Sequence, residues 1–192
     1  MNSKPKIGVL ALQGDFMEHV HILSPLNVEP KLVRYADELE DIQGLIIPGG
    51  ESTTMDRLMD EEFRQAIVEF YKKGNPIFGT CAGAIILAKK IIDGKDWQKS
   101  LGLIDIEVKR NAYGRQVNSF DTIINIPSLG TVMRAVFIRA PEIVNIGPKV
   151  KELANFEELP VLVQENNVLV STFHPELSSN PSVHRYFISL IK

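Results

Sequence analysis

The apolar residues of this 192-residue chain fall into short runs in its first half, and the runs alternate with stretches of helical period. Strands are predicted at Ile7 to Leu12, Lys31 to Arg34 and Gly44 to Ile47, with a fourth ending at Gly79. Helices are predicted at about Phe16 to Leu26, Thr54 to Met59, Glu62 to Lys73 and Ala82 to about Ile92. Nearly continuous apolar strands separated by helices indicate a parallel sheet covered on both faces. The expected fold is therefore α/β, a doubly wound, mainly parallel sheet.

Beyond Leu103 the pattern changes to strands with few helices, at Ile104 to Lys109, Thr122 to Ile126, Val132 to Ile138, Leu159 to Gln164 and Val168 to Thr172. Glu165-Asn166-Asn167 supplies turn residues between the last two, which read as a hairpin. A helix from about Ser182 to Ile191 closes the chain. The expectation is a doubly wound sheet with an added strand-rich C-terminal half. The length suits one well-buried core, so residues 1–192 are read as a single domain.

Hydrophobic residues make up 44% and charged residues 23%, which indicates a soluble globular protein. The net charge of −3, with no basic block, argues against a nucleic-acid partner. Met1 to Lys6 is polar and the first apolar run has only strand length, so neither a signal peptide nor a membrane span is expected. A single cysteine excludes an internal disulfide and fits a reducing compartment, with the cytoplasm as the expected location.

That cysteine, Cys81, sits in Phe78-Gly79-Thr80-Cys81-Ala82-Gly83, where an apolar run ends and a helical stretch begins. A sharp strand-to-helix turn holds its side chain clear of the sheet, and glycines on either side relieve the crowding. The helix start also sets unpaired N–H groups beside the sulfur, which favours thiolate. Near the other end stands Phe173-His174-Pro175-Glu176. Proline biases His174 toward extended backbone, and residues two apart on an extended segment share a side, so His174 and Glu176 can touch. A carboxylate on one imidazole nitrogen fixes the tautomer and leaves the other nitrogen to serve a nucleophile. Cys81, His174 and Glu176 can form a triad.

Ligands of doubly wound sheets bind beyond the carboxyl ends of the strands. Pro48-Gly49-Gly50-Glu51-Ser52-Thr53 reaches that edge as a Gly-Gly turn before a polar helix start. The N–H of Gly50 could pair with that of Ala82 to hold a developing oxyanion, and loss of one such donor costs about 3 kcal/mol. No Gly-Lys-Ser/Thr follows, so a phosphate-binding P-loop is excluded. Arg110 and Arg139 stand at predicted strand ends, where a guanidinium could bind a substrate carboxylate. His19 and His21 face different sides of a predicted helix, and His184 lies in the terminal helix without a companion, so no metal is assigned.

Five segments together resemble one family: Pro48 to Thr53, Gly79 to Gly83, Arg110-Asn111 through Gly114-Arg115-Gln116, Phe137-Ile138-Arg139-Ala140-Pro141 and Phe173 to Glu176. They are similar, in order, to the signatures of the PdxT family, the glutaminase subunits of pyridoxal 5′-phosphate synthase within the class I glutamine amidotransferases. The resemblance implies Cys81 as nucleophile, His174 as acid and base, and Glu176 as its orienting group. It implies that Gly50, Glu51, Ser52, Arg110, Ile138 and Arg139 bind L-glutamine. Gln13 and Gly49 match positions near the active site and the partner interface. The implied partner is PdxS, a synthase subunit that takes up the ammonia; no cofactor, nucleic acid or membrane is implied. Two rival readings remain, the glutaminase of another amidotransferase and a non-enzymatic binding or stress-response module of the same fold.

Overall fold

The computed structural model describes residues 4–110 and 119–192. The first half runs β1 (Lys6–Leu10), α1 (Phe16–Leu23), β2 (Glu29–Val33), β3 (Gly44–Ile47), α2 (Ser52–Leu58), α3 (Glu61–Lys72), β4 (Ile77–Thr80) and α4 (Ala82–Leu87). The second half adds β5 (Ala88–Ile91), β6 (Ile104–Lys109), β7 (Ser119–Ile126), β8 (Thr131–Ile138) and β9 (Glu142–Ile146). It ends with β10 (Lys151–Phe156), β11 (Leu159–Glu165), β12 (Val168–Ser171) and α5 (Ser182–Ser189).

Seven strands make the central sheet, in the order β10-β11-β12-β4-β3-β1-β2. Pairings from β12 to β2 are parallel, and β11 and β10 extend the sheet antiparallel. β3, β4 and β12 are buried at every position, which is why they read as continuous apolar runs. Alternation along β3 divides the core. Leu45 and Ile47 join Phe63 and Ile67 of α3 and the residues of α4, whereas Ile46 joins Leu23 of α1 and Phe187 of α5. Helices therefore cover both faces, as the sequence predicts. The β5-β6-β9 sheet and the β7–β8 hairpin form the strand-rich part, and β11 and β12 form the expected hairpin.

Several boundaries differ from expectation. The predicted helix through Ile92 stops at Leu87, and Ala88–Ile91 becomes a strand parallel to β6. The cause is tertiary: the N–H groups of Leu101, Leu103 and Gly102 return to the carbonyls of Ile86, Leu87 and Ala88. α1 stops at Leu23 rather than Leu26, because Pro25 follows and the Ser24 hydroxyl takes the Val20 carbonyl at 2.7 Å. β9, β10 and a 3-10 turn at Ala36–Asp41 have no counterpart in the sequence reading. Among the described residues, no helix is long and apolar enough to cross a membrane.

Candidate active site

β3, β4 and β12 lie side by side in the sheet, and the loops after their C-terminal ends assemble the site. After β4 the chain turns at Cys81, which holds φ 48° and ψ −101° and precedes α4 directly. Positive φ is unfavourable for a side-chain-bearing residue and is retained only where surrounding structure over-determines it. Here the turn is pressed from both sides. A Cβ at Gly83 would lie 2.1 Å from the Ile47 carbonyl oxygen, and one at Gly79 would lie 2.7 Å from Gly83.

After β12, the backbone N–H of His174 donates to the Val136 carbonyl of β8 at 2.8 Å. His174 Nδ1 lies 2.7 Å from Glu176 Oε1, and both residues are buried. The predicted contact forms, but on a different backbone: Pro175–Leu177 is a 3-10 turn rather than an extended segment. Burial opposes a charge on His174, and the neighbouring Cys81 and Glu176 overcome that opposition, pushing its pKa up to about 10. For Glu176 burial dominates and holds the carboxyl above its ordinary range. The Cys81 thiol makes a long contact, 3.8 Å, to the Ile138 carbonyl.

After β3, the Gly49-Gly50 turn meets the imidazole. A Cβ at Gly49 would stand 2.3 Å from His174 Cε1, so only glycine lets the ring lie there. The loop 13–15 holds the turn from outside, through Asp15 N–H to the Gly49 carbonyl at 3.1 Å and Glu51 N–H to Gln13 Oε1 at 2.8 Å. Glu51 caps α2, accepting the Thr54 N–H at 2.8 Å together with the Thr53 and Thr54 hydroxyls. Partial burial works against its charge, and these hydrogen bonds outweigh it, lowering the carboxyl to about 2.

These loops enclose a cavity of about 340 Å³, whose lining includes Gly50, Glu51, Cys81, Ala82, Ile138, Arg139 and His174. That volume suits a small polar metabolite. Gln13 lines it too. Ser52 and Arg110 do not; they are joined through Gln98, which donates to the Ser52 hydroxyl at 3.1 Å and accepts from Arg110 at 2.7 Å. Asn111 through Gln116, part of one signature, lies outside the described residues.

Sequence reasoning missed Asp15, which lines the cavity and places Oδ2 3.7 Å from His174 Nδ1. Asp15, His174 and Glu176 come within 4.8 Å of one another, but a metal there would need the Nδ1 position already committed to Glu176. Sequence reasoning also left His184 without a companion, and that is corrected: His184 Nε2 lies 3.0 Å from His19 Nδ1 in the core. His19 continues the buried stripe of α1, which was a readable signal. His21 is exposed on the opposite side, as predicted.

A doubly wound sheet with a strained cysteine elbow, an imidazole and a carboxylate at its strand ends defines the class of the glutamine amidotransferases. The chain belongs to the SNO glutamine amidotransferase family, whose model matches residues 9–192. It is 48% identical over 192 residues to "Pyridoxal 5′-phosphate synthase subunit PdxT" of Thermosipho africanus, covering 97% of this chain and 99% of that one. It is 53% identical over 188 residues to the protein of the same description from Desulforamulus reducens, at 97% and 99% coverage. A crystal structure of a glutamine amidotransferase superposes with a TM-score of 0.90 at 47% identity, covering 96% of this chain and 97% of the other. PurLQS of Thermotoga maritima shares the fold, with a TM-score of 0.72 at 20% identity.

Proposed function

We propose that this chain is the glutaminase subunit of a pyridoxal 5′-phosphate synthase. It hydrolyses L-glutamine to glutamate and passes the ammonia to a PdxS-type subunit that assembles pyridoxal 5′-phosphate from ribose 5-phosphate and glyceraldehyde 3-phosphate. The observation that carries the reading is the Cys81 elbow facing a cavity shared with a buried His174, whose Nδ1 is committed to Glu176.

In this reading the Cys81 thiolate attacks the side-chain amide carbon of glutamine, and the N–H groups of Gly50 and Ala82 hold the oxyanion. Imidazolium His174 gives its proton to the departing nitrogen, so ammonia leaves and a γ-glutamyl thioester remains on Cys81. Neutral His174 then takes a proton from water, the hydroxide adds to the thioester carbon, and glutamate departs as the thiolate re-forms. Glu176 orients the imidazole and stabilises its charge. Glu51, Ile138 and Arg139 line the glutamine site, with the Arg139 guanidinium directed to the α-carboxylate, whereas Ser52 and Arg110 stand outside the lining, joined through Gln98.

Ammonia freed into neutral water becomes ammonium, which is no nucleophile, so a biosynthetic product requires direct delivery to a partner. Control follows from the same turn. The turn meets the loop 13–15 through the Asp15 N–H to the Gly49 carbonyl and the Glu51 N–H to Gln13 Oε1, so a partner that grips Gln13 can reset the oxyanion donor. The test is glutamate release with and without a PdxS-type synthase. Turnover should rise at least about tenfold on adding it, roughly 1.4 kcal/mol of barrier. No glutamate with the synthase present would refute the glutaminase reading, and full activity of the isolated chain would refute the control.

A further inference from the structure

Behind the triad carboxylate lies a pair of imidazoles that glutamine hydrolysis, as derived above, leaves without a role. His19 comes from α1 and His184 from α5, and both are fully buried. His19 Nδ1 is 3.0 Å from His184 Nε2. His19 Nε2 is 3.2 Å from the Thr80 hydroxyl and 3.5 Å from Glu176 Oε1, the same oxygen that receives His174 Nδ1. Phe78 packs edge-on against both rings, with centroids 6.3 Å and 5.6 Å away, and fixes their planes.

Burial keeps both rings neutral. It lowers His184 to about 3 and, with the adjacent imidazoles, takes His19 well below its ordinary value. Each ring therefore carries one N–H, and two arrangements are open. With the His19 proton on Nδ1, His19 donates to His184 and turns a lone pair toward the Glu176 carboxylate. The His184 proton must then sit on Nδ1, a buried atom with no hydrogen-bond partner among the described residues. With the His19 proton on Nε2, the N–H faces Thr80 and Glu176, and His184 donates from Nε2 to His19. The Thr80 hydroxyl, which donates to His19 Nε2 in the first arrangement, then becomes the acceptor, so each arrangement leaves one buried donor open, the His184 Nδ1–H or the Thr80 O–H. What separates them is Glu176: the first turns a lone pair toward its carboxylate and the second an N–H, so the second arrangement prevails.

We propose that His184 and His19 are positioning residues for the triad: His184 sets the His19 tautomer, and the His19 N–H keeps Glu176 Oε1 aligned on His174. The line Cys81–His174–Glu176 thus continues through the core to α5. This inference rests on the glutaminase reading for its effect on turnover, but its tautomer claim stands on geometry alone.

Histidine 15N NMR of the full chain tests the geometry, with His19 and His184 both expected as neutral Nε2–H tautomers. A proton on His19 Nδ1 would overturn the proposal. Kinetics of the complex with the synthase test the consequence. His19→Leu keeps roughly the volume and removes both nitrogens, and should lower kcat about tenfold while glutamine KM stays within about twofold, the loss of an N–H dipole 3.5 Å from the carboxylate being felt only in turnover. His19→Gln places an amide N–H near the lost Nε2 and should recover most of that kcat. Equal kcat for the Leu and Gln variants, or wild-type kcat in the Leu variant, would reduce the pair to packing. Failure of the wild-type complex to release glutamate would instead sink the glutaminase reading and leave the NMR result to judge the histidines.

Discussion

The two sides of His174 are built differently. Behind it, Glu176, His19, His184 and Thr80 are buried, joined by short polar contacts and clamped by Phe78. In front, Gly50, Glu51, Gln13 and Arg139 line the cavity, and the turn is hydrogen-bonded to the loop 13–15 at the Gly49 carbonyl and the Glu51 N–H. A buried polar network has little room to respond to a partner, whereas Gly50, exposed and at φ 144°, can change its conformation at little cost. Under the proposed mechanism, the rear would carry fixed proton chemistry and the front adjustable substrate handling.

Changes at the centre and rear should therefore strike turnover, and changes in front should strike binding, stability or control. The largest effect is expected for Cys81→Ala, which should abolish glutamine hydrolysis while the synthase still makes product from ammonium salts. Retained glutaminase activity in that variant would dismiss the nucleophile. Glu176→Gln should lower kcat by about two to four orders of magnitude with a smaller change in glutamine KM, since the carboxylate meets imidazole rather than substrate. Steady-state kinetics with an unchanged kcat would remove Glu176 from the triad.

On the front side, Arg139→Ala should chiefly raise KM, by about 1.5–3 kcal/mol for a lost charge-assisted hydrogen bond. An equal effect on a glutamine analogue lacking the α-carboxylate would contradict that role. The smallest change is expected in folding stability. Glu51→Gln weakens the α2 cap by at most about 1 kcal/mol. Because the folded state holds Glu51 at about 2, below its ordinary 4.5, this contribution is present above pH 4.5 and fades as pH falls through 2. Urea unfolding at pH 7 and in acid should show the wild-type advantage shrink, and a pH-independent difference would exclude a charge-based cap.

Legibility divided the rear itself. Cys81, His174 and Glu176 were readable because each sits in a local signature, a glycine-flanked turn or a His-Pro-Glu triplet directly after an apolar run. The His19–His184 contact joins residues 165 apart, and no spacing rule encodes it. The parallel block was legible because strands buried on both faces are apolar throughout. β10 was missed because it is an edge strand whose burial alternates irregularly across a bulge. The strand at Ala88–Ile91 was read as helix because its pairing with β6 comes from distant sequence, and local periodicity carries no trace of it.

The covalent step offers the most direct test of the account. Wild-type chain in complex with the synthase, mixed with glutamine and quenched in acid within one turnover, should yield a Cys81 peptide heavier by one γ-glutamyl group. Glu176→Gln should form the same adduct more slowly, and Cys81→Ala should form none. Glutamate release by the wild-type complex with no adduct on Cys81, or an adduct on any other residue, would contradict the mechanism.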